Sequence, residues 1–424
     1  MRGDFLMRGA AGGRSLSAGQ RVLLLQCLCC MVYFVSYLTR TNYAAALSEM
    51  VNVLHISNET AGLAVTFSFL TYGLGQTLCG MVGDVADPRR MIAAGLVATA
   101  GCNLLMPVMP NISWMTALWG LNGFFQSMLW PPLVRIMAEN LSETDYQHAC
   151  VAVSTAASAG AVAVYLLVPV CLLLAGWPSA FIVPAVFGLL ATGVWLTGTK
   201  ACTGEKRVET ADRPANEISV MQKNGLWPLI RRSALLPLMG AIVMMGILRD
   251  GITTWMPTFI NERYHLGTSP SILSAAILPL FSIFSVIAAS WISKWLTNEA
   301  AAAALLFGSG LLAAVGFRLS FFAVPAVPVA FMTLLNGCMH GVNFMLLSRL
   351  PRRFAPYGRV SFISGLLNTF TYVGGGLAAF LIGAVAERFG WLVVAGMWGG
   401  VALAGTLLCT AGIRRFRRFC KELP

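Results

Sequence analysis

The chain has 424 residues, of which 57% are hydrophobic and only 11% charged. Soluble domains carry about a quarter charged residues, so this balance excludes an ordinary soluble fold and points to lipid as the solvent. A net charge of +12 would suit a nucleic-acid partner, but the placement of the charges along the chain gives it another meaning.

A bilayer crossing needs about twenty mostly apolar residues. Arg2, Arg8 and Arg14 precede the first such run, which starts at Val22. That run is too long for a signal peptide and no small-x-small cleavage site follows, so a first membrane span is expected. Predicted spans then fall near 22–48, 59–82, 91–108, 113–138, 148–175 and 179–198. A second set falls near 234–259, 271–295, 300–317, 323–348, 359–385 and 391–413. The polar stretch 199–233, with Lys200, Glu205, Lys206, Arg207 and Arg213, separates the two sets. The expected architecture is all-α, with twelve transmembrane helices in two six-helix halves, 1–198 and 234–424, the second ending in a basic tail.

Of the 29 Lys and Arg, 24 fall in the termini and the even-numbered loops, against three (Arg263, Arg318 and Arg388) in the odd-numbered ones. By the positive-inside rule both termini and the linker are cytoplasmic. The basic balance thus reads as topology in a plasma (inner) membrane, with the lipid bilayer as partner and no nucleic acid. A monomer is expected.

Eleven cysteines are scattered, mostly inside apolar runs, and read as small buried hydrophobes. No metal-ligand spacing or paired catalytic constellation is present, so neither an enzyme nor a metal or other cofactor is expected. Asn58-Glu-Thr60 and Asn111-Ile-Ser113 fit glycosylation sequons on outer loops, a pattern that chance supplies often.

An ionisable residue within a span costs about 2.5–3.5 kcal/mol or more, which makes it a candidate functional residue by default. Arg40, Arg249, Asp250 and His340 are such residues. Arg40 lies deep in span one and Arg249 deep in span seven, the first helix of the second set. Equivalent helices of repeat-built transporters face each other across a central site, so the two arginines are expected to line one cavity. The alternative is that each arginine locks helices together. Polar residues at helical spacing extend the stripe: Tyr33, Tyr37 and Arg40 in span one, Tyr72 and Gln76 in span two, Thr155 and Ser158 in span five. Asn336, His340 and Asn343 share a face of span ten, and Asn368 and Tyr372 a face of span eleven. Such residues also glue membrane helices together. Clusters such as Gly73-Leu-Gly75, Trp130-Pro-Pro132 and Gly374-Gly-Gly376 suit close helix packing or bending.

Two patterns carry a family resemblance. Gly80-Met-Val-Gly-Asp84-Val-Ala-Asp-Pro-Arg89-Arg90 resembles the loop signature of the major facilitator superfamily, where an acid and basic residues latch helix ends on the cytoplasmic side. Its second-half counterpart, Ser290-Trp-Ile-Ser-Lys294, lacks the acid. Tyr37-Leu-Thr-Arg40-Thr-Asn42-Tyr43 resembles the first helix of the organophosphate:phosphate antiporters, the group of the glycerol-3-phosphate and hexose-phosphate transporters. Further matches are Gly123-Phe-Phe-Gln126 through Trp130-Pro-Pro132, Leu248-Arg249-Asp-Gly251 through Trp255-Met-Pro257, and Gly365 through Gly375. The resemblance implies that Arg40 and Arg249 grip a phosphoryl group and that Tyr33, Tyr37, Tyr72 and Tyr372 line the site. Against the family pattern, Gln76 replaces a lysine, Ser158 a histidine, Thr41 a lysine and Thr254 an acid, while a further acid falls at Pro279. Asp250 and His340 are additions.

The chain is therefore expected to carry a small phosphorylated or phosphonate anion, with inorganic phosphate as counter-substrate. The binding residues are Arg40, Arg249, Tyr33, Tyr37, Tyr72, Gln76, Ser158, His340, Asn343, Asn368 and Tyr372, and Gly80, Asp84, Arg89 and Arg90 form a gating loop. Neighbouring helix residues point about 100° apart, so Asp250 need not pair with Arg249 and is open to proton coupling or to a substrate amine. Other readings are a proton-coupled carrier of another organic anion, using Asp250 or His340, and a transport-like membrane sensor.

Overall fold

The computed structural model describes residues 17–56, 58–203, 226–265 and 277–422. Most of the expected linker (204–225, with Glu205, Lys206, Arg207 and Arg213) and the start of the span near 271–295 lie outside the described residues. The helices in chain order are α1 (Ala18–Leu54), α2 (Asn58–Val85), α3 (Pro88–Leu105), α4 (Ile112–Gln126), α5 (Trp130–Asn140), α6 (Glu143–Ala175) and α7 (Ser179–Thr203). After the linker come α8 (Leu226–Arg232), α9 (Leu235–Tyr264), α10 (Ile277–Trp295), α11 (Glu299–Leu319), α12 (Ala326–Asn343), α13 (Val360–Phe389) and α14 (Trp391–Lys421). Among the described residues, ten of these helices are long and apolar enough to cross a membrane. The 28-residue α2 and the split pair α4–α5 are not among the ten.

Local chemistry explains where several helices start and break. Ser17 caps α1 in a reciprocal box with Gln20, and Ser142 caps α6 ahead of Glu143 and Asp145, whose charges suit a helix N-terminus. Asn111, half of an apparent sequon, accepts the Trp114 amide at 3.1 Å and caps α4. The span expected at 113–138 is not continuous. Pro131 and Pro132 lack amide hydrogens and disfavour helix just before them, so α4 ends at Gln126 and α5 restarts with prolines in its first turn. After α12 the helix widens into a π stretch, Phe344–Arg349, and then tightens into a 3-10 stretch, Leu350–Tyr357, that contains Pro351 and Pro356.

In packing, α1 lies against α6 and α7, α3 against α7, and α2 against α4. Likewise α9 lies against α13 and α14, and α11 against α12 and α14. The two groups meet mainly through α13 on α2 and α5, and through α6 on α10. Small residues permit these approaches, as lipid supplies no hydrophobic drive between helices. A Cβ on Gly374 would stand 3.0 Å from the Ile247 nitrogen and 3.1 Å from the Gly246 Cα, so α9 and α13 cross backbone to backbone.

Candidate functional site

The backs of the helices are fixed by polar pairs that leave other residues free to face inward. Asn42 Nδ2 donates to Asn103 Oδ1 at 2.8 Å and to the Ala180 carbonyl at 2.9 Å, tying α1 to α3 and α7. Asn103 and Asn122 both donate to the Thr39 carbonyl, and Gln126 Nε2 donates to Thr39 Oγ1 at 2.8 Å. The segment 37–42 therefore splits by face: Thr39 and Asn42 anchor α1, while Tyr37 and Arg40 turn to the interior. In the second group Asn336 Nδ2 donates to the Arg249 carbonyl at 2.9 Å and to Thr253 Oγ1 at 3.2 Å, pinning α9 where Arg249 projects.

These faces enclose a cavity of about 370 Å³ between the two groups of helices. Its wall holds Tyr33, Tyr37, Arg40 and Thr41 from α1, Tyr72 from α2, Ser158 from α6, Arg249 and Asp250 from α9, His340 and Asn343 from α12, and Asn368 and Tyr372 from α13. Arg40 and Arg249 thus reach one space from opposite groups. Gln76 does not line it: the side chain is fully buried, and its amide atoms have no partner among the described residues. Thr155 is absent too, and Ser154 takes that place beside Ser158. The expected stripe of α6 is therefore an i, i+4 pair. Residues not singled out from the sequence also contribute, notably Ser282, which lies 3.2 Å from Ser158 oxygen to oxygen. Pro279, where an acid would have stood, is part of the wall as well.

The two arginines sit in unlike surroundings. The guanidinium of Arg40 lies over the rings of Tyr37 (4.4 Å) and Tyr72 (4.9 Å) and makes no ion pair with a described residue. Tyr72 in turn meets Tyr372 edge to face at 4.8 Å, across the two groups of helices. Arg249 is instead held by its neighbour. Its Nε donates to Asp250 Oδ1 at 2.7 Å and its Nη2 to Oδ2 at 3.1 Å, while Nη1 donates to Asn343 Oδ1 at 2.9 Å. Adjacent helix residues left it open whether Asp250 pairs with Arg249; they do pair, because an arginine stem is long enough to fold back on the next side chain.

One end of the bundle is closed. Asp84 Oδ1 accepts the amides of Ser361 (2.8 Å) and Phe362 (3.2 Å), so a carboxylate of α2 caps the start of α13. Gly80 permits the contact, because a Cβ there would stand 2.7 Å from the Ser361 carbonyl. Arg90 is exposed and approaches Asp87 at 3.6 Å, and the Arg89 carbonyl accepts the Trp195 indole at 3.0 Å. A residue not foreseen, Arg135, secures the turn by donating to the carbonyls of Gly83 (2.6 Å) and Ala86 (3.2 Å). Opposite, the Tyr146 hydroxyl donates to the Ser348 carbonyl. Arg352 donates to the carbonyls of Leu141 (2.7 Å) and Ser142 (3.0 Å), and Glu143 pairs with Arg352 at 3.2 Å and Arg349 at 3.4 Å.

The sequence profile of the Major Facilitator Superfamily matches residues 29–379. The chain belongs to this superfamily. Among its relatives, a probable hexose phosphate transport protein of Chlamydia trachomatis is 22% identical, covering 85% of this chain and 84% of the relative. The glycerol-3-phosphate transporter of Bacillus subtilis is 26% identical over 84% of each chain. The membrane sensor protein UhpC of Salmonella typhimurium is 24% identical over 88% of this chain and 86% of that one. These relatives are consistent with the organophosphate:phosphate antiporter family. The superfamily transporter FucP, in its outward conformation, superposes with a TM-score of 0.70 at 13% identity, over 94% of this chain and 99% of that one. The proton:xylose symporter XylE superposes at 0.67 with 14% identity, over 96% and 97%. The chain is thus a multi-pass integral membrane transporter of the major facilitator fold and not an enzyme.

Proposed function

We propose that this transporter carries a small phosphorylated or phosphonate anion, exchanging it for inorganic phosphate as two six-helix halves rock about the cavity. The observation that carries the reading is the pair of guanidinium groups, one from each group of helices, on a single cavity wall. Guanidinium is always charged and offers a planar fork that suits a phosphoryl group. A bound anion would bridge the halves and lower the barrier to their reorientation. Relatives named for hexose phosphate and glycerol-3-phosphate support the substrate class. On this reading the chain crosses a plasma membrane twelve times, with α2 and α4–α5 completing the ten clear spans. On the same reading the closed end, where basic residues are in excess, faces the cytoplasm and the cavity serves the outer side.

The test is uptake by purified protein in proteoliposomes loaded with inorganic phosphate. Uptake of an organophosphate is expected to depend on internal phosphate and not on a proton gradient. Uptake that follows the proton gradient alone would instead favour proton coupling. The likeness to UhpC supports a second reading, a membrane sensor, whose signature is binding without flux.

A further inference from the structure

We infer that the cavity selects organophosphates with a single net negative charge, and that Asp250 is the residue that sets this limit. The inference rests on the organophosphate reading above and names the substrate class within it.

The argument is one of charge in a low-dielectric space. The fixed charges on the wall are Arg40, Arg249 and Asp250. The other titratable groups facing Asp250 across the cavity are His340 and the tyrosines around Arg40. The three fixed charges are two positive against one negative. The wall then carries a net charge of one, positive, and this charge sits on Arg40. Arg249 adds little to it, because its fork already spans both Asp250 oxygens at 2.7 and 3.1 Å and its remaining Nη1 holds Asn343.

A phosphoryl group approaching Arg249 therefore meets a carboxylate beside it. The Asp250 side chain is 28% exposed, so it faces whatever fills the space. A dianion would leave one negative charge uncompensated in an apolar surrounding and set it against Asp250. Both effects are costly where water does not screen them. A substrate of net charge minus one balances the wall. Phosphodiesters, monoesters in their singly ionised form and phosphorylated amines meet this condition, and inorganic phosphate meets it as its monoanion. Asp250 thus separates ligands by charge where the arginines alone would favour the highest charge.

Three probes of similar size decide the matter in proteoliposomes at about pH 8, well above the second phosphate pKa of about 6. They are glycerol phosphate as the dianion, its methyl diester as a fixed monoanion, and phosphoethanolamine as a zwitterion of net charge minus one. The wild-type protein should transport the latter two with at least about tenfold higher kcat/KM than the dianion, a difference of about 1.4 kcal/mol. Asp250→Asn should raise the dianion's relative rate by about the same factor, and Asp250→Glu should keep the wild-type ratio. Wild-type preference for the dianion, or an unchanged ratio in a folded Asp250→Asn protein, overturns the inference. Should that variant not fold, the wild-type ratio and the Asp250→Glu ratio still decide. Efficient dianion uptake defeats only the charge limit; no uptake or binding of any of the three defeats the organophosphate reading itself.

Discussion

At the scale of single residues, the chemistry of the cavity divides between an arginine held by rings and an arginine held by an acid. Arg40→Lys keeps the charge but loses both the planar fork and the broad stacking on Tyr37 and Tyr72. Transport is expected to fall at least about tenfold (about 1.4 kcal/mol), with the same amount of protein in the membrane. Arg249→Lys gives up the two-point contact with Asp250 and should fall at least as far. Near-normal uptake by both lysine variants would refute the two-arginine grip. Helical spacing sufficed to align Tyr33, Tyr37 and Arg40, because a long regular helix fixes a stripe. It did not suffice for Gln76 or Thr155. A stripe read from one helix defines a face only to within a residue, and the neighbour decides whether that face sees cavity or seam. For Gln76 the neighbour is Gly365, whose missing Cβ leaves room for the Gln76 backbone.

At the scale of elements, the seam of α2 on α13 is the largest contact between the two groups of helices. It joins the two groups of helices through hydrogen bonds such as Thr77 to Thr369 at 2.8 Å and Thr369 to the Gly73 carbonyl at 2.7 Å. Yet the buried polar atoms Gln76 Oε1 and Nε2, Ser361 Oγ, Ser364 Oγ and Asp84 Oδ2 have no partner among the described residues. A buried polar atom that finds no partner, water included, costs about 1–3 kcal/mol, a cost that would be relieved were the seam to open to water. The closed seam is thus held by close glycine contacts and opposed by its own unsatisfied polar groups, which suits an element with two arrangements. Ser361→Ala with Ser364→Ala should remove part of that opposition. The expected result is a protein that melts higher and transports more slowly, checked by thermal unfolding in detergent beside uptake rates. A double variant that is destabilised, or that transports faster, would show that the hydroxyls contribute to the closed seam. Gly73 of this seam was legible in sequence as a packing residue, whereas Gly80 and Gly365 entered only as motif positions; the partner helix of each was not legible, since that depends on how two distant stretches of chain meet.

At the scale of the whole molecule, the closed end explains a set of residues that sequence reading assigned to topology alone. Arg349 and Arg352 count towards the positive-inside excess, and nothing in their spacing distinguishes a gate from a solvated loop. Only the meeting of the π and 3-10 stretches with the start of α6 brings them to Glu143, Leu141 and Ser142. The all-helical fold was far more legible, because span length is set by the bilayer and needs no tertiary information. The break between α4 and α5 was half legible: its prolines were visible, its effect on the helix was not.

The Glu143 cluster supplies the last prediction. Glu143 is 51% exposed and Arg349 is 4% exposed, so the two ends of the pair respond differently to its loss. The exposed carboxylate gains little from the contact, at most about 1 kcal/mol after solvent screening. The buried guanidinium cannot recover the lost partner from water without moving, and its Nη1 has no partner among the described residues. Glu143→Gln therefore raises the closed arrangement in energy mainly through Arg349, and Tyr146→Phe adds the loss of a buried hydrogen bond to the Ser348 carbonyl, about 1 kcal/mol. Together they should shift the balance towards opening at this end by about 1–2 kcal/mol, a five- to thirtyfold change in population. Spin labels at the exposed positions Asn140 and Pro356, one on each side of the closed end, report this as a longer distance in the double variant. An unchanged distance distribution, with transport also unchanged, would mean that Asp84 and the α2–α13 seam hold the end shut without help from Glu143.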